Sequence, residues 1–202
     1  MRTEVGEDVV ESLLKHYSSW YRLKRGVAWI LKIKERLMKP KQATADSQQL
    51  SADDMKAAEI AIVRSIQRKA FSNEMRDVTE SNVRISSPIY RLDPTLDDGV
   101  LRVGGRLKNS AMPEKSKHPV ILPKGHPIVH LILRDIHERK GHVGRNHMLA
   151  IMHEIYWAAA ANASARKVVN DCITCKRQRG KLYKHKRWPI YPPTESLRTN
   201  HH

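Results

Sequence analysis

Two cysteines in this 202-residue chain have the type and spacing to hold a metal ion. Cys172 and Cys175 are separated by two residues, so both sulfurs can reach one ion from a tight turn. A lone pair of this kind also occurs in redox proteins, where it follows a strand in an α/β pattern, whereas here it ends a helical segment. Two thiolates need two further ligands to give tetrahedral zinc, and imidazole is the usual complement.

Eleven histidines are candidates for the two remaining positions. His137 and His142 lie on either side of Gly141, where the chain turns, so we expect their imidazoles to converge. His130 lies two helical turns before His137, which places it too far away to share the ion. Histidines further along the chain fall inside the next helix and are expected at its solvent side or flanks. The sequence therefore predicts one structural zinc ion with four ligands: His137, His142, Cys172 and Cys175.

Apolar residues recur at three- and four-residue spacing on both sides of the histidine pair, which predicts three short helices around one small core. The three stripes run from Ile128 to Ile136, from Met148 to Ile155 and from Ala165 to Cys172. Gly141 is expected to end the first helix, and the second is expected to begin after Gly144.

The first half of the chain predicts two longer helices and a short β segment. One helix is expected over residues 5–38, and a second from Ser51, which forms a capping box with Asp54, to about Phe71. Short strands are expected at 89–92 and 100–103 around a turn at Asp97–Gly99, with a third apolar run at 119–123. Turn chemistry accounts better for Gly104 and Gly105 than a nucleotide loop does, because no Gly-Lys-Ser/Thr follows.

These elements predict a mainly α fold with N-terminal helices, a short β-hairpin segment and then a zinc-stabilised three-helix bundle. The expected division has a basic helix and linker at 1–50 and a helical connector at 51–82. A short β-rich connector follows at 83–125, then the zinc-binding domain at 126–180 and a basic tail at 181–202.

The charge balance favours a polyanionic partner. Lysine and arginine number 37 against 21 acidic residues, a formal net charge of +16, and nucleic acid is the leading partner class for so basic a chain. We expect non-specific DNA contacts from a run of cations after the cysteines, with Tyr183 and Trp188 able to stack on bases. The alternative is a flexible, solvated tail. The candidate contact residues are Lys176, Arg177, Arg179, Lys181, Lys184, Lys186 and Arg187.

The sequence predicts an intracellular protein, in the cytoplasm or nucleus, without membrane association. No signal peptide follows Met1, and the most apolar run, residues 27–31, is far too short to cross a bilayer. Two cysteines are too few for a disulfide framework. The basic amphipathic helix at 5–38 is interpreted as a packing helix rather than a membrane-surface helix.

The full pattern His-x4-His-x29-Cys-x2-Cys resembles the HHCC zinc domain at the N-terminus of retroviral and retrotransposon integrases. Further blocks resemble the segment before that domain in Bel/Pao-type LTR retrotransposon polyproteins, among them Tyr17–Trp20, Leu101–Leu107 and Lys117–Pro119. The resemblance implies zinc at the four matching positions in a three-helix bundle. Family members continue into a catalytic core that joins element DNA to the host, whereas this chain ends at His202.

The chain is not expected to be an enzyme by itself. DNA strand transfer needs carboxylates that hold two divalent metals, and after Cys175 the only acidic residue is Glu195. Three functional hypotheses remain open: a zinc module that contacts DNA or assists integrase assembly, a protein–protein module that dimerises through an apolar helix face, and a relic of a transposable element without present function.

Overall fold

The computed structural model describes residues 7–38, 49–80, 83–105 and 117–180. These residues are 67% helical, with eight α-helices and a small strand segment, so the predicted mainly α fold is confirmed. The helices are α1 Glu7–His16, α2 Trp20–Met38, α3 Ala52–Ala70, α4 Ser72–Glu80, α5 Pro127–Arg139, α6 Arg145–His153, α7 Ala161–Asp171 and α8 Ile173–Arg179. The strands are β1 Thr95–Asp97, β2 Val100–Arg102, β3 Val120–Leu122 and β4 Tyr156–Ala158.

The single helix predicted over residues 5–38 is wrong in one respect, because two helices occupy this range. Apolar periodicity continues across the break, which is why the pattern alone suggested one helix. The hydroxyl of Ser19 accepts a hydrogen bond from the Arg22 N–H at 3.5 Å, which helps to satisfy the free backbone donors at the start of α2.

The predicted capping box at the start of α3 is confirmed. The Ser51 hydroxyl accepts from the Asp54 N–H at 3.1 Å, and the Asp54 carboxylate accepts from the Ser51 N–H at 2.8 Å. This reciprocal pair satisfies two backbone donors that the helix cannot. Helix α3 ends at Ala70, close to the expected Phe71.

The turn and the second strand of the hairpin lie where they were predicted, but the first strand is Thr95–Asp97 rather than residues 89–92. Residues 89–92 are not a strand, since Tyr90–Leu92 is a turn of 3-10 helix that buries Ile89. Strand β1 instead pairs with β2 across Asp98 and Gly99, whose positive φ values of 48° and 72° suit a two-residue hairpin loop. Gly104 permits a close backbone approach rather than a turn, because a Cβ there would lie only 2.2 Å from the backbone oxygen of Asp93, whereas Gly105 has a positive φ of 75°.

The four strands form one sheet in the order β1-β2-β3-β4, antiparallel except for the parallel pair β3–β4. Buried Gln67 of α3 bridges the centre of this sheet. Its amide nitrogen donates to the backbone oxygens of Leu101 (2.9 Å) and Ile121 (2.6 Å), and its amide oxygen accepts from the Leu101 N–H at 2.7 Å. One side chain therefore links the third helix to β2 and β3.

The N-terminal helices and the three helices after residue 126 share one hydrophobic core. Buried side chains from α1, α2, α3, the sheet and α5–α7 form a single cluster, and a smaller cluster packs Phe71 against Leu101 and Ile121 on the other face of the sheet. Polar contacts join the same parts: the Tyr156 hydroxyl donates to the Glu59 carboxylate, which also accepts from Lys24. No described helix is long and apolar enough to span a bilayer.

Replacing Gln67 with methionine should lower the free energy of unfolding by roughly 2–5 kcal/mol, because three buried backbone groups would lose their partner in a side chain of similar volume. Chemical denaturation of the zinc-loaded protein measures this. Gln178→Met, at an exposed position on α8, is the matched control and should change stability by less than about 0.5 kcal/mol. Equal effects of the two substitutions would show that the bridge contributes nothing.

Candidate metal centre

Helix α5 places His137 inside the protein. His126 caps the start of the helix, because its Nδ1 accepts the Ile128 N–H at 3.2 Å, and Pro127 occupies the first turn, where proline is favoured. The apolar stripe of α5 is buried, and His137, in its last turn, is only 1% exposed. The imidazole therefore points from the end of the helix into a water-poor environment.

A left-handed turn brings His142 back to His137. Gly141 and His142 have φ values of 75° and 61°, and the His142 N–H donates to the His137 backbone oxygen at 2.7 Å. Glycine adopts this conformation at no steric cost, whereas a histidine there is uncommon. The two rings consequently meet edge to face, with centroids 4.9 Å apart. The expected helix break at Gly141 is confirmed.

The two cysteines come from the junction of α7 and α8. Cys172 has an extended backbone (φ −67°, ψ 118°), so α7 ends before it and α8 begins after it. Its N–H still donates to the Val168 oxygen at 3.1 Å, and its oxygen accepts from the Lys176 N–H at 2.9 Å. Cys175 lies in the first turn of α8, and both sulfurs face the imidazoles.

The four ligand atoms surround a single point, because all lie within 4.8 Å of one another. His137 Nε2 and His142 Nδ1 are 3.2 Å apart, Cys172 Sγ lies 3.3 Å from His142 Nδ1, and Cys175 Sγ lies 3.4 Å from His137 Nε2. A zinc tetrahedron with ordinary bond lengths has N···N edges of about 3.3 Å and N···S edges of about 3.6 Å. The spacing and donor set both fit zinc.

A backbone carbonyl fixes which nitrogen of His137 faces the ion. His137 Nδ1 lies 2.9 Å from the Val143 oxygen, so this nitrogen carries the proton and donates it, leaving Nε2 free as a ligand. His142 presents its other nitrogen, Nδ1, to the site. Sequence reasoning missed the Val143 contact, since a main-chain oxygen leaves no signature in residue types.

The local environment favours a thiolate at one cysteine. The backbone N–H of Cys175 makes the largest contribution in lowering the pKa of the Cys172 thiol to about 6, and the neighbouring imidazoles and thiol lower it further. Burial raises the pKa of Cys175, as does the adjacent Cys172 sulfur, while Arg179 opposes the increase. Since a metal binds the thiolate form, the lowered pKa of Cys172 favours metal binding by this sulfur near neutral pH.

Other sequence candidates lie elsewhere. His126 caps α5, and burial lowers the pKa values of both His126 and His130. Among the described residues, the one His/Cys/Asp/Glu group arranged to hold a metal is the predicted set of four. Of the predicted nucleic-acid contacts, Lys176, Arg177 and Arg179 lie on α8. The remaining four, Lys181, Lys184, Lys186 and Arg187, lie outside the described residues, as do Tyr183 and Trp188.

Residues 125–181 match the family model described as the integrase zinc binding domain. This segment is an integrase-type zinc-binding domain. The match contains all four clustered ligands, and they are positioned to bind one zinc ion, as the sequence predicted. No curated protein matches the chain, and no solved structure does.

Four protein ligands would complete the coordination of zinc and leave no position for water, which is the pattern of structural rather than catalytic sites. The zinc-binding domain is by itself a non-catalytic module. Its ion would join two segments about thirty residues apart, the turn after α5 and the junction of α7 and α8. The expected contribution is to folding.

Removing zinc with a strong chelator should lower the thermal midpoint and the helical circular dichroism signal, because structural zinc contributes roughly 10–16 kcal/mol in small zinc-finger peptides. His137→Ala should do the same in the presence of zinc. His147→Ala, at an exposed position on α6, serves as the matched control and should keep one bound zinc per chain. An unchanged helical signal and midpoint after chelation would contradict the zinc centre.

Proposed function

We propose that this chain is a structural zinc module of a Bel/Pao-type retrotransposon polyprotein that contacts DNA non-specifically and has no strand-transfer activity of its own. The integrase-type domain at residues 125–181 carries this proposal. The upstream sequence blocks that resemble such polyproteins, including Leu101–Leu107, support the lineage. In this role the zinc holds the fold that presents a basic surface, and it performs no chemistry.

The proposed DNA contacts begin directly after the metal ligands. Lys176 and Arg177 are exposed on α8, and no acidic residue lies between Cys175 and Arg187 in the sequence. Since Lys176 follows Cys175 immediately, the ion that fixes the sulfur also fixes where this stretch of positive charge starts. Lys181, Lys184, Lys186 and Arg187 extend the same charge along the chain. A row of cations without intervening acids suits phosphates and carries no base specificity.

Neutralising Lys176, Arg177, Lys184 and Lys186 to glutamine should reduce the slope of log binding constant against log salt by up to about 3.6 for duplex DNA, because each lost phosphate contact removes about 0.9. Fluorescence anisotropy at several salt concentrations measures the slope. The matched control removes the same charge from four exposed positions elsewhere, with Lys15, Lys56, Arg76 and Lys124 changed to glutamine.

The control should keep most of the wild-type slope. Equal losses in the two variants would show that net charge, rather than the row of cations after Cys175, attracts DNA. A stable dimer whose sedimentation is indifferent to DNA, together with no salt-dependent DNA binding, would reject the proposal in favour of a dimerisation module.

A further inference from the structure

Arg179 contacts both sides of the cysteine loop, which is the segment from Cys172 to Cys175. It is the last residue of α8, and its Nε donates to the backbone oxygen of Cys175 at 3.3 Å. Its Nη2 donates to the backbone oxygen of Val169, in the last turn of α7, at 2.9 Å. One planar guanidinium therefore joins the helix that ends before Cys172 to the helix that carries Cys175.

The Val169 carbonyl, which accepts from this guanidinium, is one that its own helix leaves free. The last four carbonyls of a helix have no partner within it. The extended backbone at Cys172 ends α7, and the Cys172 N–H satisfies the Val168 oxygen but not that of Val169. The other acceptor, the Cys175 carbonyl, lies one turn before the end of α8. A cation at these two C-terminal ends also interacts favourably with both helix dipoles.

We propose that Arg179 is a positioning residue of the zinc centre, which fixes the angle between α7 and α8 and so holds the two sulfurs at the spacing the ion requires. This inference rests on zinc binding at the four proposed ligands. It separates Arg179 from the basic residues beside it, because a guanidinium that spans two carbonyls has fewer donors left for phosphate. Within the described part of the chain, neither the Lys176 nor the Arg177 side chain donates a hydrogen bond to this loop.

The geometry requires arginine rather than any cation. The fork of a guanidinium directs two N–H groups to two separate oxygens, whereas the lysine ammonium is a single point on a flexible stem. Arg179→Lys should therefore fail to maintain the zinc affinity of the wild-type protein even though it keeps the charge. Arg166 lies on the exposed side of α7 and offers a control that removes an arginine charge from one of the two helices concerned.

The test uses the full chain and compares wild type, Arg179→Gln, Arg179→Lys and Arg166→Gln. Zinc affinity, measured by competition with a chromophoric chelator, should fall about tenfold in both Arg179 variants, the lower end of the effect of residues that orient metal ligands. Arg166→Gln should stay within about twofold of wild type. Cobalt-substituted protein gives a second readout, because the thiolate-to-cobalt absorption should weaken or shift in the Arg179 variants alone.

The outcomes separate the two claims. Wild-type protein that binds no zinc would overturn the zinc centre and this inference together. Wild-type zinc binding with unchanged affinity and cobalt spectrum in both Arg179 variants would overturn only the inference. If Arg179→Gln instead reduced the salt slope of DNA binding while leaving zinc affinity intact, Arg179 would be a phosphate contact. Full rescue by Arg179→Lys would reduce its role to charge.

Discussion

The convergence of two imidazoles and two sulfurs constrains the rest of the C-terminal half. His137 and Cys175 are brought together from helices far apart in sequence, with Nε2 and Sγ 3.4 Å apart. The other two ligands depend on local irregularities: the left-handed turn at Gly141 brings His142 back to His137, and the extended backbone of Cys172 separates α7 from α8. Each of these irregularities ends a helix and leaves backbone groups without their helical hydrogen bonds. An ion shared by the four ligands would offset that loss of stability, because it binds only when all four meet.

The zinc-binding domain is built into a larger core rather than attached to it. Strand β4 lies within the matched segment, yet its partner β3 lies before residue 125, so the parallel pair crosses the boundary of the match. Tyr156 on β4 also donates to Glu59 of α3, and Glu59 pairs with Lys24 of α2 at 2.9 Å. Buried side chains of six helices and the sheet continue this contact. An ion bound at the four ligands would therefore stabilise the N-terminal helices as well.

Local patterns predicted α3, α5, α6, α7 and the ligands, but not the break between α1 and α2, nor α4 and α8 as separate helices. Contacts distant in sequence could not be predicted either. The stripes of α5, α6 and α7 follow from a 3.6-residue period, and the HHCC spacing identified the ligand set. The strand predicted at residues 89–92 was wrong because a short apolar run fits a strand or a helical turn equally well, and the pattern alone could not distinguish them. Strand β4 has three residues and depends on β3, over thirty residues earlier. The role of Gln67 is likewise visible only once α3 lies on the sheet.

The same limit applies to charge, which a sequence counts equally at every position and a fold does not. Arg64 is buried and donates to the backbone oxygen of Asp98, and Lys24 and Lys32 are paired with carboxylates of α3. Arg179 donates to two carbonyls at the cysteine loop. Such cations still add to the long-range attraction for a polyanion, but they are not free to contact it. The net charge of +16 therefore bears on how strongly a polyanion would be attracted, and the fold decides which lysines and arginines could contact it.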